Sequence, residues 1–144
     1  MSMAYLPNHI KEDKGKIFID SLIQNVVAAK GDCNIAKMNS FIDISKYNQT
    51  QKLAAKEMYC FQIENLFKQL KQDYSIGDII SYSEAKDKNL QGFFQISDDN
   101  IDHIYFLILS NNELSPFKLN ENDDRIVSMS AMNKGGIKRY LIEY

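Results

Sequence analysis

Residues 103–110 of the chain read HIYFLILS, and this stretch decides the fold that the sequence predicts. It is rich in aromatic and branched side chains and lies between two turn-forming clusters, Asp98-Asp99-Asn100 and Asn111-Asn112, as is typical of a β-strand. Alternate side chains of a strand point to opposite faces. The two rows are Tyr105, Leu107 and Leu109, and Ile104, Phe106 and Ile108. Because both rows are apolar, we expect a central strand that is covered on both sides.

Further strands are predicted on either side of this one. The candidates are Ile79–Tyr82, Gly92–Ser97, Leu114–Leu119, Arg125–Met129 and Ile137–Glu143. We expect the Asp98-Asp99-Asn100 turn to close a hairpin between the second candidate and HIYFLILS. Pro116 lacks an N–H donor and favours an edge strand or a bulge for the third candidate. Asn133-Lys134-Gly135-Gly136 joins the last two strands.

The first half of the chain predicts helices. One helix runs from about Asp13 to Ala29, where Gly31 supplies a stop signal. Asp32 is a good N-cap for a short second helix carrying Ile35, Met38 and Phe41/Ile42. Asn48 or Thr50 caps a third helix that extends to about Gln72. Its expected apolar stripe follows a seven-residue repeat, Leu53, Cys60, Phe67 and Tyr74, and is widened by Ile63, Leu66 and Leu70.

Helices followed by strands predict an α+β fold. We expect about three N-terminal helices packed on a curved, mainly antiparallel C-terminal sheet of five or six strands. The length of 144 residues suits one domain, 1–144, in which residues 1–11 are expected to be flexible.

Composition and charge exclude several classes of protein. A hydrophobic content of 44% and a charged content of 25% describe an ordinary globular chain, and a net charge of −2 argues against a nucleic-acid partner. The charge is uneven: residues 1–72 carry +3 and residues 73–144 carry −5. No apolar run is long enough to predict a membrane span. The first residues lack the pattern of a signal peptide, so the expected location is cytoplasmic, or periplasmic or secreted if a signal has been removed.

Cys33 and Cys60 are the two cysteines of the chain. Their separation does not fit a zinc or thioredoxin-type motif. Three interpretations remain: two buried free thiols, one disulfide in an oxidising compartment, or a reactive thiol. The apolar row on the third helix favours unpaired thiols with Cys60 buried.

Chemistry-bearing motifs are sparse. His103 beside Asp102 is the one weak candidate for acid–base catalysis, and no catalytic residue is assigned. The run Asn120–Asp124 is rich in oxygen ligands but lacks the glycine and the final glutamate of an EF-hand loop, so we expect no metal site. No cofactor is expected, since the sequence contains no P-loop and no GxSxG motif.

Aromatic side chains are concentrated on the predicted strands. Such a surface is usually part of the core, but a curved sheet facing helices often leaves an aromatic-lined pocket, and Tyr82, Phe94 and Tyr105 are the candidates for one that binds a small apolar ligand. Near the C-terminus, Lys134, Lys138 and Arg139 lie beside two tyrosines and suggest a contact with a nucleotide or an acidic partner. A charged, solvent-exposed edge strand is the more usual meaning of such a group and is the favoured interpretation.

The order of elements resembles the NTF2-like (cystatin-like α+β cone) superfamily. The resemblance covers nearly the whole chain and is carried by FIDSLIQNVVAAKGD (18–32), IAKMNSFID (35–43), the long helix, RIVSM (125–129) and IKRYLIEY (137–144). It implies a cone-shaped fold with a hydrophobic cavity. It implies no particular activity, because no catalytic pattern of the superfamily matches position by position.

Three functions follow from these observations. The leading hypothesis is a non-enzymatic module of NTF2-like architecture that binds a small ligand or another protein. One alternative is a bacterial immunity or inhibitor protein whose acidic second half neutralises a toxin. The other is a small isomerase- or dehydratase-like enzyme with a hydrophobic pocket. Because three helices can cover only one row of HIYFLILS, we also expect a homodimer through the sheet.

Overall fold

The computed structural model describes residues 14–33 and 38–144. Four helices are α1 (Lys14–Ala28), α2 (Met38–Phe41), α3 (Gln49–Gln69) and α4 (Tyr82–Asp87). Five strands are β1 (Ile79–Ser81), β2 (Ile104–Ile108), β3 (Leu114–Leu119), β4 (Ile126–Asn133) and β5 (Arg139–Glu143). The α+β class is confirmed, with four helices in place of about three. The flexible segment expected at 1–11, and Ile35 of the predicted second helix, lie outside the described residues.

Local sequence signals set the ends of the two long helices. After α1, Gly31 adopts a φ of +81°, which favours glycine, and its N–H donates to the Val26 carbonyl at 3.0 Å. At the start of α3, the Asn48 side chain accepts from the Gln51 N–H at 2.8 Å, and the Gln51 side chain accepts from the Asn48 N–H at 2.9 Å. This reciprocal capping box satisfies two backbone donors and confirms Asn48 as the N-cap.

The strands form one antiparallel sheet in the order β1-β2-β3-β4-β5. Of the two alternatives predicted for Pro116, the edge strand is wrong, because β3 lies between β2 and β4, whereas an irregular ladder does occur in this strand. Pro116 is opposite Phe106 of β2. It precedes the two residues that pair with β4, Lys118 and Leu119, and the register shifts between these two. An inner strand therefore accommodates the proline next to an irregular part of the ladder.

Helices α1 and α3 cover one face of the sheet. The core on this face contains Ile19, Leu22, Ile23 and Val26 from α1, Tyr59, Ile63 and Leu66 from α3, and Tyr105, Leu107, Phe117, Leu119, Ile126 and Met129 from the strands. This layer is the expected packing of helices on a sheet. None of the helices in residues 14–33 and 38–144 combines the length and apolar character needed to cross a membrane.

The opposite face is covered by α4 and by residues 88–100, which we call the covering segment. The Phe106 ring contacts Tyr82, Phe93 and Phe94 with centroid distances of 5.8, 5.8 and 5.1 Å. Ile104, Phe106, Tyr82, Ala85, Ile96 and Leu114 form the buried centre of this second core. Aromatic side chains of the covering segment thus cover the face of the sheet that α1 and α3 leave free.

The covering segment corrects two predictions. Gly92–Ser97 is not a strand: Ile96 makes one isolated bridge to Arg139, so the expected hairpin with HIYFLILS does not form. The Ser97 N–H donates to the Arg139 carbonyl at 2.8 Å, and the Arg139 N–H donates to the Gln95 carbonyl at 2.8 Å. The Ile96 N–H donates to the Tyr82 hydroxyl at 3.1 Å. The segment therefore links α4 to the outer edge of β5.

Both side-chain rows of β2 are consequently buried within a single chain. Ile104, Phe106 and Leu107 have no exposed surface, and Tyr105 is 6% exposed. The prediction of a central strand covered on both sides is confirmed. The expectation that one row stays uncovered is wrong, because only the N-terminal helices were counted as cover. This removes the argument for a homodimer through the sheet.

The buried stripe of α3 differs in part from the predicted one: Ile63 and Leu66 are buried as expected, but the seven-residue row is not. Ala55, Tyr59, Ile63 and Leu66 are buried, whereas Leu53 is 58% exposed and Phe67 37% exposed. At about 100° per residue, the row of Leu53, Cys60 and Phe67 lies roughly 100° around the helix from the centre of the buried stripe, so it falls at the edge of the buried face. Spacings of four and three residues follow the buried face instead.

Cys33 and Cys60 form a disulfide, so the prediction of two free thiols is wrong. Cys60 is also half-buried on α3, not fully buried. The turn at Gly31 brings the end of the α1 loop against α3: a Cβ on Gly31 would lie 2.9 Å from the Cβ of Phe67. The loop thereby places Cys33 next to Cys60, with 5.1 Å between their Cα atoms.

Candidate ligand-binding groove

A groove of about 350 Å³ lies between α3 and the strands β3, β4 and β5. Its α3 side follows helical spacing and consists of Met58, Phe61, Gln62, Asn65, Leu66 and Gln69. The sheet side consists of Ser115, Met129, Ser130, Ala131 and Ile142. The volume is in the range typical of small-ligand sites.

Gln62 is held in one orientation at the sheet side of the groove. Its Nε2 donates to the Ser130 hydroxyl at 2.6 Å, and its Oε1 accepts from the Tyr144 hydroxyl. The Tyr47 hydroxyl in turn donates to the Tyr144 carbonyl. These hydrogen bonds connect α3, the last residue of the chain and the loop before α3, and they fix the two polar groove residues Gln62 and Ser130 against each other.

Other polar groups of the groove are available to a ligand. The side chains of Asn65, Gln69 and Ser115 form no hydrogen bond with the part of the chain that the structure describes. The described residues that line the groove carry amides, hydroxyls and apolar groups, and none of them is charged. This lining suits a neutral molecule or chain segment that has both hydrogen-bonding groups and apolar surface.

Phe61 marks the rim of the groove. It is 68% exposed on the middle of a long helix. Exposing a phenyl ring to water is unfavourable unless a partner covers it, since burial of a large apolar side chain is worth about 1.5–3 kcal/mol. The ring is therefore a natural first contact for a ligand that enters the groove.

The structure brings two of the three predicted aromatic pocket residues together and places Tyr105 on the other face of the sheet. Tyr82 and Phe94 pack on Phe106 in the second core. Tyr105 faces the first core, where its hydroxyl approaches Gly15 so closely that a Cβ there would lie 2.2 Å away. The proposed role of these three residues in ligand binding stays a prediction.

His103 pairs with a residue that the sequence analysis did not select. Its Nδ1 lies 2.8 Å from Asp123 Oδ1, and both side chains are 20% exposed, whereas Asp102 is exposed. The pair connects the start of β2 to the loop between β3 and β4. Neither residue lines the groove, so an acid–base role for His103 or Asp102 stays a prediction.

The oxygen-rich run Asn120–Asp124 folds as a turn. The Asn120 side-chain oxygen accepts from the Asp124 N–H at 3.0 Å and from the Arg125 N–H at 3.1 Å, while its Nδ2 donates to Asp124 Oδ1 at 2.7 Å. Across residues 14–33 and 38–144, no group of three or more His, Cys, Asp or Glu side chains is placed to hold a metal ion.

The basic group near the C-terminus is divided between two faces of β5. The Arg139 guanidinium lies over the Phe94 ring at 4.0 Å, on the side of the second core. Lys134 lies over the Tyr140 ring at 4.9 Å, near the turn that joins β4 to β5. Tyr144 is used within the fold through its bond to Gln62.

Sequence reasoning missed the groove itself. Its signal was a mixed row on α3, in which Met58 and Phe61 alternate with the amides Gln62, Asn65 and Gln69 at helical spacing. No protein-family model, curated protein or solved structure matches the chain. The NTF2-like resemblance therefore stays a prediction.

Proposed function

We propose that this protein is a non-enzymatic binding module of NTF2-like architecture whose site is the groove between α3 and β3–β5. The observation that carries this proposal is the lining of the groove: fixed and unengaged neutral polar groups stand beside an exposed Phe61. Helices α1 and α3 on one face of an antiparallel sheet agree with the resemblance to the superfamily.

The groove favours binding over catalysis. The described groove residues supply amide and hydroxyl hydrogen bonds but no side chain that titrates near neutral pH. General acid–base catalysis needs such a group within hydrogen-bond reach of the substrate. The His103–Asp123 pair has suitable chemistry but does not line the groove.

The inhibitor alternative receives less support from the structure. It rests on the acidic second half of the chain, yet several of these carboxylates are used internally. Asp98 is paired with Lys118 at 2.7 Å, Asp123 with His103, and Asp124 takes part in the turn at Asn120. Fewer acidic groups remain free to attract a basic toxin surface.

The disulfide bears on where the protein works. Structural disulfides persist in oxidising compartments and are rare in the cytosol. The Cys33–Cys60 bond therefore supports the periplasmic or secreted location over the cytoplasmic one as part of this proposal.

A neutral fluorescent probe, N-phenyl-1-naphthylamine, tests the groove. We expect its emission to rise and shift to the blue on binding, and we expect the change of Phe61 to Ser to weaken binding about tenfold, because an aromatic contact of 1–2 kcal/mol is lost. Ser115→Trp, which fills the groove from the sheet face that Ser115 shares with its pairing partner Leu107, should abolish binding.

Leu53→Ser is the matched control. Leu53 is also an exposed apolar residue of α3, 58% exposed, but it does not line the groove. Its removal should leave probe binding unchanged. Equal losses in Phe61→Ser and Leu53→Ser, or no binding by the wild-type protein, would contradict the proposed function.

A further inference from the structure

The β4–β5 hairpin extends the apolar surface of the groove. We call residues 132–140 the hairpin arm. Its three exposed apolar side chains are Met132 (46% exposed), Ile137 (85%) and Tyr140 (41%). Such side chains seldom cluster on a free surface without a partner to cover them.

The register of the hairpin shows that this surface is continuous with the groove. Met132 is opposite Tyr140, and the pair two residues further along is Ser130 opposite Ile142. Residues directly opposite share a face of the sheet, and so do residues two apart along a strand. Because Ser130 and Ile142 line the groove, Met132 and Tyr140 continue its floor toward the end of the arm.

The charge around this surface has one sign. The hairpin arm contains Lys134, Lys138 and Arg139 and no acidic residue, although the second half of the chain carries −5 overall; of these three, Arg139 lies on the opposite face, over Phe94. Within the described part of the chain, no carboxylate forms an ion pair with Lys134 or Lys138. Two ammonium groups that lack a carboxylate partner among the described residues therefore stand beside the exposed apolar side chains of the arm, and that of Lys134 lies over the Tyr140 ring.

We propose that the groove and the hairpin arm together bind an acidic, partly apolar segment of another protein; this inference rests on the proposed function. Apolar side chains of the segment fill the groove beside Phe61 and cover Met132 and Tyr140. Carboxylates of the segment lie against Lys134 and Lys138, where the charges are complementary.

Groove geometry favours a polypeptide over a lipid surface. The groove lies between a helix and a sheet, so a narrow segment reaches its floor but a flat bilayer contacts only the tip of the arm at Ile137. The unengaged amides of Asn65 and Gln69 match the donors and acceptors of a peptide backbone.

Two labelled peptides test the partner class by fluorescence anisotropy at low ionic strength. One contains six Leu and six Glu residues in alternation, and the other has Gln in place of every Glu. We expect the Glu peptide to bind about five- to tenfold more tightly, since two exposed charge pairs contribute a free energy of this order. The preference should decrease as salt is added.

Two double variants test whether Lys134 and Lys138 cause the preference for the Glu peptide. Lys134→Ala with Lys138→Ala should abolish the preference for the Glu peptide and leave N-phenyl-1-naphthylamine binding intact. Lys56→Ala with Lys86→Ala removes two exposed lysines that do not line the groove and should keep the preference. Thermal unfolding followed by circular dichroism checks that both variants remain folded.

The outcomes separate this inference from the proposed function. Equal affinity for the Glu and Gln peptides, with the neutral probe still bound, overturns the acidic partner but keeps the groove. Loss of the probe as well overturns the proposed function. Lysine-dependent sedimentation with vesicles of phosphatidylcholine and phosphatidylglycerol, without peptide binding, would replace the protein partner by a membrane. A lysine-dependent dimer in sedimentation velocity would replace it by a second copy of the chain.

Discussion

The Sγ atom of Cys33 is bonded to that of Cys60, which ties the loop after α1 to the middle of α3 across 27 positions of sequence. The bond holds this loop on the surface of α3, where Gly31 also contacts Phe67. Helix α3 supplies one side of the groove, so the disulfide supports the helix on which the candidate site is built.

Removing the disulfide should destabilise the protein. Closing a loop of this length in the unfolded chain is worth about 3–4 kcal/mol in the chain-entropy model. Urea unfolding of the Cys33→Ser, Cys60→Ser double variant should show a loss of this order, and a reductant should lower the stability of the wild type but not of the variant. Two thiols titrated in the denatured, unreduced protein would show that the bond is absent.

Phe106 should be far more important for stability than Phe67. Phe106 is fully buried between Tyr82, Phe93 and Phe94, so its change to Ala should cost about 3–5 kcal/mol. Phe67→Ala removes a ring of the same size that is 37% exposed and should cost roughly 1 kcal/mol. Denaturant unfolding measures the loss of unfolding free energy in both variants. Similar losses in the two variants would contradict the burial of Phe106 in the second core.

Charges placed on either face of β2 should unfold the protein. Tyr105 is 6% exposed and Phe106 is fully buried, on opposite faces, so Tyr105→Glu and Phe106→Glu each bury a carboxylate among apolar groups. Circular dichroism should show loss of folded structure in both variants. A folded, smaller species from either variant in sedimentation velocity would revive the homodimer through the sheet.

The ion pair between Asp98 and Lys118 should make stability depend on pH in the acidic range. Burial raises the pKa of Asp98, but the hydrogen bond from Lys118, the backbone N–H of Asn100 and the charge of Lys118 outweigh it, and the net shift is downward from 3.8. A carboxyl whose pKa is lower in the folded state stabilises the protein above its unfolded pKa. This contribution is lost as the pH falls below 3.8 and through the lower folded value.

The Asp98→Asn variant isolates this contribution. Its free energy of unfolding at pH 7 should be lower than that of the wild type by about 1–3 kcal/mol, because the part-buried Lys118 loses its charged partner. This difference in stability should shrink toward pH 3. Asp99→Asn, at the exposed neighbouring position, is the control and should follow the wild-type profile. A difference between Asp98→Asn and wild type that stays constant with pH would rule out the pair as its cause.

Three tyrosines should resist ionisation at high pH. Burial raises the pKa of Tyr59, of Tyr74 and of Tyr144 above the ordinary value of 10.0. The hydrogen bond of Tyr74 to Asp20 at 2.6 Å adds to its shift. A phenol whose pKa is higher in the folded state contributes stability that is complete below pH 10 and declines above it.

Absorbance at 295 nm measures this ionisation. We expect the native protein to leave part of its tyrosine signal untitrated until alkaline unfolding, when the rest appears in one cooperative step. The same titration in urea provides the fully exposed reference. Ionisation of all eight tyrosines near pH 10 without unfolding would contradict the burial of these three.

Local sequence determined the elements whose signals lie within a few residues. The two apolar rows of HIYFLILS predicted a central strand covered on both sides, and β2 confirms it. Gly31 and Asn48 marked the ends of α1 and α3, because capping uses backbone groups three to five positions away. The order of helices and strands was enough to predict the α+β class.

Tertiary structure decided the features that join distant parts of the chain. Gln62 meets Ser130 and Tyr144 across 68 and 82 positions, so no local pattern could show that these residues build one groove floor. In the sequence alone, Cys33 and Cys60 are compatible with free thiols as well as with a disulfide. The tertiary structure decides between the two, because the turn at Gly31 places the loop on α3. Residues 92–97 of the covering segment were predicted to form a strand, because their aromatic residues have high strand propensity. Their burial against Phe106 outweighs that propensity, and packing of this kind exists only once the sheet has formed.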